Sequence, residues 1–414
     1  MPAAVKTDIA IIGAGIIGLT AALRLAAGGR EIVVVDPNDP GSGASFGNAG
    51  AVASYCCAPI GNPDVLRDLP HLLFNPDSPL AIRPAALPAL LPWLTRFVWQ
   101  SMPGRARRNG RALAGLLQDA VPAWRELAEQ AGALDLFRHD GCLYVYLEKM
   151  PPADSDWGAR LRDELGVRQE RLTSAEVAQL EPALSAVAGG VFFPDAAPIV
   201  DPSALTKRLA AAARRQGVSF QRARVAQLAP QHDGHIRLNG PDFTLDARKV
   251  VVAAGAWSRF LARQAGENIP LDTERGYHIE FALDAGPIRR PVSPDELGFY
   301  ITPMEGRLRV AGTVELGGLV APPNPDRFVL LERGARKFLP GLGPVQSQWL
   351  GFRPSLPDSL PVIGRSRRQP NLIYAFGHGH LGMTLAGVTS AIVADLIGDR
   401  NDGRDLAAFR PDRF

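Results

Sequence analysis

The chain has little cysteine. Its three, Cys56, Cys57 and Cys142, are an odd, sparse set among 414 residues, without the spacing of a disulfide framework, a structural zinc site or an iron–sulfur cluster. A reducing compartment is therefore expected. Charge of one sign is lacking too: 45 Lys+Arg against 42 Asp+Glu leave a net +3. The densest basic run, Arg105, Arg107, Arg108 and Arg111, is too short for a nucleic-acid surface. Long apolar runs are missing as well. The uncharged stretch Asn371–Ala394 approaches the length that spans a bilayer, about 20 residues, but it holds His378, His380 and four glycines. It reads as a buried strand, loop and helix. Only Met1–Lys6 precede Thr7, and the apolar run beyond is broken by glycine at once, so no secretory signal is read there and a cytoplasmic location is expected.

With 46% hydrophobic and 21% charged residues, the chain is neither disordered nor fibrous, and its length suggests two or three domains. Glycine (42) and proline (36) are abundant, together about half above their usual share. Tight turns and close backbone approaches are predicted to account for them.

Thr7–Ile12 is a short β-branched apolar run. Gly13-Ala14-Gly15-Ile16-Ile17-Gly18 follows, then the helix formers Leu19–Ala27, and then Glu31–Val35, a second buried strand ending at Asp36. Strand, glycine turn, helix and acidic strand end make a dinucleotide-binding unit. Gly13 permits the turn, Gly15 lets backbone approach a pyrophosphate, Gly18 lets helix and strand pack closely, and the helix N-terminus offers free N–H groups. Asp36, eighteen residues past Gly18, is placed for the adenosine ribose. Pro37-Asn38 offers no cation for a 2′-phosphate, which disfavours NADP. Gly41–Gly50 is almost without bulk; it reads as a wrap around the same ligand, using Ser45 and Asn48, or as a surface linker.

Further motifs carry a resemblance: Lys249–Ser258 (KVVVAAGAWS), Gly351–Gly364 (GFRPSLPDSLPVIG) and Asn371–Thr384 (NLIYAFGHGHLGMT). With the N-terminal motif and Gly41–Gly50, they make the chain similar over nearly its whole length to the D-amino acid oxidase superfamily of FAD-dependent oxidoreductases. Within that superfamily it resembles bacterial D-amino acid dehydrogenases, the D-hydroxyproline dehydrogenase type included. The resemblance implies an α/β FAD-binding Rossmann-type domain with a mostly parallel sheet, interleaved with an α+β substrate domain carrying a mixed or antiparallel sheet. Residues 1–60, 195–265 and 350–414 are assigned to the first, and 61–194 and 266–349 to the second with inter-domain helices. Periodicity agrees: a helix over 201–215, strands over 218–228 and 236–245, and a helix over 385–397 that returns to the first strand.

The implied cofactor is FAD, held without a covalent link. Its predicted contacts are Gly13, Ala14, Gly15, Ile16, Ile17, Gly18, Asp36, Ser45, Asn48, Ala49, Val225, Ala254, Gly255, Trp257, Gly379, His380, Leu381, Gly382 and Thr384. Relatives that bind flavin covalently use a cysteine where Gly351 stands. Flavin chemistry asks the protein mainly to bind and orient, and an arginine fork suits a substrate carboxylate. Arg353, in the family's Gly-x-Arg-Pro motif, is the expected carboxylate ligand, unless it is a surface arginine at a turn. Tyr300 is expected to assist it, and Tyr277 and His380 are weaker candidates.

His378-x-His380 lacks a third ligand nearby, so no metal is expected. Cys56-Cys57 lacks redox spacing, and no second glycine motif serves NAD. The expected activity is oxidation of a D-amino acid or cyclic imino acid, D-proline or cis-4-hydroxy-D-proline preferred, with a quinone or electron-transfer partner favoured over O2. A glycine- or sarcosine-type oxidase and a non-catalytic FAD-binding subunit are the alternatives. The apolar, proline-rich 66–102 reads either as helices packed between domains or as a peripheral contact with the inner face of the cytoplasmic membrane.

Overall fold

The computed structural model describes residues 5–184, 186–283, 287–400 and 403–414. Strand β1 (Val5–Ile12), helix α1 (Ile16–Ala26) and strand β2 (Ile32–Asp36) form the predicted unit. β1 lies at the centre of a parallel group, with β2 and Ser219–Arg222 on one side and Phe243–Val252 and Leu372–Phe376 on the other. Antiparallel strands extend this sheet: Val362–Arg365 beyond Leu372–Phe376, and the pair Gln227–Pro230 and Ile236–Gly240 alongside Phe243–Val252. The buried stretches Ile9–Ile12 of β1 and Ile32–Val35 of β2 are runs of Ile, Val and Ala because parallel strands are covered on both faces. On one face lie α1, Pro202–Arg215, Ala120–Ala131 and Gly382–Ile397.

Two predicted strands differ from the structure. The segment 218–228 is divided between Ser219–Arg222, paired with β2, and Gln227–Pro230, paired with Ile236–Gly240. Its alternation persists while the partner changes, which periodicity does not register. The segment 236–245 is a hairpin: Gly240-Pro241-Asp242 supplies turn chemistry, and Phe243–Val252 runs back and on into the buried KVVV.

A second sheet of nine strands is mostly antiparallel, in the order Val345–Ser355, Asp272–Ala282, Arg307–Leu316, Phe299–Met304, Val292–Pro294, Cys142–Tyr146, Gly189–Phe193, Glu170–Thr173, with Leu80–Ile82 beside Arg307–Leu316. Residues 350–355 continue this sheet, although they were grouped with the dinucleotide part. Conversely, Ala120–Ala131, grouped with the second part, packs into the first core through Trp124 and Leu127. Helix Pro325–Phe338 closes one face of the second sheet over Tyr277, Ile279, Phe281 and Val310. The other face looks onto the first domain.

The apolar helix Gly379–Ile397 is long enough to cross a membrane, but 67% of it is buried inside the molecule. It packs against α1, where Thr20 and Arg24 hydrogen-bond Ala386 O and Ser390 Oγ. Helices Pro63–Phe74 and Leu87–Gln100 are not packed between the domains. The first buries no residue and the second only Leu90 and Trp93.

Candidate active site at the sheet ends

The glycines Gly13–Gly18, Gly41–Gly50, Gly255 and Gly377–Gly382 meet at the carboxyl ends of the parallel strands, where a doubly wound sheet binds its ligand. Gly13 ends β1 at φ 110°, and a Cβ there would lie 2.3 Å from Ala253 O; on Gly18 it would lie 1.9 Å from Gly13 O. These two glycines are consumed by packing. Gly15 is different, since a Cβ there would meet only Ser45 Oγ at 3.5 Å. Its other side is open, with room for a ligand to approach the backbone.

Helix α1 starts at Gly15 without a side-chain cap. Ser45 Oγ accepts from Ile16 N (2.9 Å), and the remaining first-turn N–H groups face the cradle with the positive end of the helix dipole. Asp36 Oδ2 accepts from Ala14 N and Oδ1 from Asn38 N, both at 2.8 Å. Each oxygen keeps a lone pair, and the half-exposed carboxylate can take a ribose hydroxyl. Ala254, half-buried, leads into the 3₁₀ turn Gly255–Trp257, and Val225 packs against the same core as Ala254. Trp257 is largely exposed and makes an edge contact with Phe352. Gly379, His380 and Leu381 form a second 3₁₀ turn leading into Gly382–Ile397, whose first turn has no side-chain cap and no acidic residue. Thr384 accepts from Ala53 N at 3.0 Å and so ties this helix to the end of the Gly41–Gly50 loop. These residues fit an extended dinucleotide: a glycine cradle with one open side, two helix N-termini whose own N-cap residues give no side-chain cap, and an acidic strand end.

That loop is held by the second sheet, through residues the sequence did not reveal. Arg309, almost fully buried, donates to Phe46 O (2.9 Å) and Asn48 O (2.7 Å) and is paired with Glu280. Thr302 donates to Ala49 O at 2.7 Å, and Asn48 Oδ1 accepts from Gly50 N. His278 stacks on Trp349 at 5.1 Å, with Nδ1 3.3 Å from Gly47 O. Burial, then the charge of Arg309, pulls the His278 pKa down to about 4. Although burial opposes ionisation of Glu280, Arg309 outweighs it and holds that carboxyl at about 2. Sequence-distant strands supply this clamp, and no local pattern marks it.

Arg353 lies half-buried on the same face. Its Nη1 donates to Thr313 O (2.9 Å) and Nη2 to Gly312 O (3.4 Å). The guanidinium covers Gly276, where a Cβ would fall 2.2 Å from Cζ. Thr313 holds its carbonyl in place from a left-handed conformation, φ 55°, an uncommon one for a β-branched residue. Arg353 therefore has its plane fixed by two N–H groups and keeps three for a ligand. Its cross-strand neighbour Glu274 is buried, with Oε2 3.0 Å from His380 Nε2. Burial opposes ionisation there too, but His380 and Arg353 together keep the Glu274 carboxyl below the ordinary carboxylate range.

Tyr300 is on this face, one strand beyond the carbonyls that anchor Arg353. Its hydroxyl is 2.5 Å from Tyr144 Oη and 3.1 Å from Tyr55 Oη, and Tyr55 donates to Cys142 Sγ. Burial pushes all three phenols well above their usual value, so they stay neutral donors. Tyr55 and Tyr144 carried no motif and were missed. Tyr277, by contrast, does not join the site. Its side chain is in the core under Pro325–Phe338, where Oη donates to Glu315 Oε2 at 2.5 Å. Strand alternation puts it on the face of Arg275 and Ile279, opposite to Glu274 and Arg353.

His378 and His380 do not converge, since His378 Nε2 meets Thr389 Oγ1 at 3.0 Å while His380 faces Glu274. Cys56, Cys57 and Cys142 are free thiols, pushed by burial to about 11, 11 and 12.

Comparison with known proteins agrees with this architecture. The chain is 35% identical over 418 residues to a D-amino-acid oxidase from Bradyrhizobium diazoefficiens, covering 98% of each chain. It is 33% identical over 417 residues to a D-amino acid dehydrogenase from Paramagnetospirillum magneticum, again covering 98% of each. Among solved structures, glycine oxidase from Geobacillus kaustophilus shares the fold with a TM-score of 0.77 at 24% identity, covering 99% of both chains. L-proline dehydrogenase from P. horikoshii does so with a TM-score of 0.75 at 21% identity, covering 99% of this chain and 98% of that one. The family model DAO, FAD dependent oxidoreductase, matches residues 8–396, and the chain belongs to that family.

Proposed function

We propose that the protein oxidises a D-amino acid or cyclic imino acid, with D-proline or cis-4-hydroxy-D-proline the preferred substrates, and gives an imine that water converts to the keto acid or its ring-opened form. FAD, held without a covalent link by the glycine cradle, Asp36 and the Gly379–Thr384 turn, supplies the acceptor for the hydride from the carbon next to nitrogen. The carrying observation is Arg353, anchored through two N–H groups to Thr313 O and Gly312 O on the sheet face that meets the cofactor loop. A substrate carboxylate bound by its free N–H groups has its angle set by the fork, which fixes the direction of the Cα–H bond. Tyr300, kept neutral, offers a hydroxyl to the same carboxylate. The D configuration is supported by the names of the relatives at 33–35% identity, and the compact substrate by the backbone-rich lining.

The acceptor we favour is a quinone or an electron-transfer partner at the inner face of the cytoplasmic membrane. The exposed helices at 63–100 carry Phe74 (83% exposed), Leu91 (58%) and Trp99 (56%). Between Asp77 and Asp119 there are six arginines and no acidic residue. Arg105 lies over Trp99 at 4.2 Å, an arrangement that suits an anionic lipid surface. Flotation with anionic vesicles, lost in L91E/W99E, supports that contact; retained flotation refutes it.

Anaerobic mixing with a panel of D- and L-amino acids and proline derivatives tests the whole reading, with flavin bleaching as the signal. Bleaching by L-amino acids alone overturns the stereochemistry. Stoichiometric peroxide in air favours a glycine- or sarcosine-type oxidase instead, and no bleaching by any amine favours a non-catalytic FAD-binding subunit.

A further inference from the structure

An amino acid in neutral water is an ammonium, and its α-hydride cannot leave until the nitrogen has a lone pair to form the C=N bond. An N–H bond must therefore break first, and a group must receive the proton. Beside Arg353 one buried carboxylate has a fixed partner: Glu274, with a side chain 6% exposed, places Oε2 3.0 Å from His380 Nε2. Among the described residues no hydrogen bond reaches that oxygen, and its contact with His380 is an ion-pair approach. His380 is 37% exposed, so its ring bridges the buried carboxylate and water. The geometry points to a Glu274–His380 dyad that receives the substrate's ammonium proton, with His380 the acceptor and Glu274 its positioning residue.

With Nε2 on the Glu274 side of the ring, the Nδ1 lone pair takes the proton. The substrate N–H bond breaks, an Nδ1–H bond forms, nothing is oxidised in this step, and the imidazolium, balanced by Glu274, passes the proton to water. Few other charges bear on the ring. From Asp272–Ala282 it faces Glu274. From Val345–Ser355, Arg353 acts on the same carboxylate. The first turn of Gly382–Ile397 carries no acidic residue, and His378 is engaged with Thr389. Arg353 keeps Glu274 ionised, so that carboxylate stabilises the imidazolium without itself being the final acceptor.

This inference rests on the amine-oxidising function proposed above, and its test separates the two. The pH dependence of kcat/KM is measured with an artificial acceptor for wild type, Glu274→Gln, His380→Asn and His380→Gln, each checked for flavin content. Wild type is expected to be level from pH 7 upward. The variants should be about 10²-fold slower at pH 7 and recover about tenfold per pH unit as free amine accumulates. A second readout needs no turnover. Binding of 2-aminoisobutyrate, which has no α-hydrogen, is followed by the flavin spectrum, and its pH midpoint should move up by at least one unit in His380→Asn. Level profiles and an unmoved midpoint in the His380 variants overturn the dyad while leaving bleaching by wild type intact. Because the His380 ring reaches the surface, those variants carry the test even if Glu274→Gln fails to fold. A wild-type flavin that no amine bleaches overturns the underlying function instead.

Discussion

Replacing Arg353 should separate orientation from charge. The side chain has two N–H groups on Thr313 O and Gly312 O and lies beside the buried carboxylate of Glu274. Charge-assisted hydrogen bonds contribute about 1.5–3 kcal/mol each. Two to a substrate carboxylate give about 3–6 kcal/mol, or roughly 10²–10⁴ in kcat/KM at about 1.4 kcal/mol per decade. Arg353→Met also strands Glu274, and an uncompensated buried charge costs about 3–5 kcal/mol, so some of its loss is instability. Arg353→Lys keeps a cation near Glu274 but cannot hold both carboxylate oxygens in one plane. It should fold with normal flavin content and still lose about 10² in kcat/KM, with kcat falling along with binding because the Cα–H direction is no longer fixed. The double variant Arg353→Met/Glu274→Gln should recover thermal stability relative to Arg353→Met without recovering activity. Steady-state kinetics on D-proline with an artificial acceptor, together with Tm and flavin absorbance, decide the matter. Arg353→Lys within threefold of wild type in kcat/KM refutes the carboxylate assignment.

The cofactor cradle gives a paired expectation. Gly18→Ala, whose Cβ would fall 1.9 Å from Gly13 O, should lose both Tm and flavin, whereas Gly15→Ala, with only Ser45 Oγ at 3.5 Å, should keep apoprotein Tm and lose FAD affinity, as calorimetry and flavin titration will report. Arg309→Met removes the bonds to Phe46 O and Asn48 O and leaves Glu280 without its main partner, so purified protein should carry substoichiometric flavin, and full occupancy contradicts the clamp. Acid should destabilise the fold through two buried histidines, His278 at about 4 and His378 at about 3. Both folded values are depressed below the ordinary value near 6.5, so the stability they contribute is present above that pH and is lost as pH falls towards the folded values. Each should cost about 2 kcal/mol between pH 7 and pH 5, and His278→Asn should flatten the pH slope of urea unfolding by one proton.

Legibility in the sequence followed the length scale of the interaction. The β1–α1–β2 unit could be read because its requirements are local: glycine where Gly13 and Gly18 leave no room for Cβ, aliphatic residues where strands are covered on both faces, an acid at the strand end. Arg353 could be read because its motif is local, although the carbonyls that orient it lie forty residues upstream on another strand. What failed was local pattern without partner information. Val218–Leu228 alternates correctly and still changes sheet neighbours, and Tyr277 is turned into the core with Arg275 and Ile279 by plain strand alternation, opposite to Glu274 and Arg353, a face that the sequence alone does not assign. The residues that complete the site share one property. Tyr55, Tyr144, Glu274, Arg309 and His278 act as pairs or triples across strands 29 to 245 positions apart, and separately each is an ordinary half-polar residue in a strand or loop. A buried charge is informative only beside its counter-charge. Glu274 is the clearest instance: alone it reads as a strand residue in a mixed sequence, but between Arg353 and His380 it becomes the carboxylate that both must answer. The site is therefore divided between two kinds of specification, a cofactor sleeve written in contiguous glycines and a substrate end assembled by the register of Asp272–Ala282 against Val345–Ser355. A one-residue slip of either strand against the other would put Glu274 and Arg353 on opposite faces of the sheet.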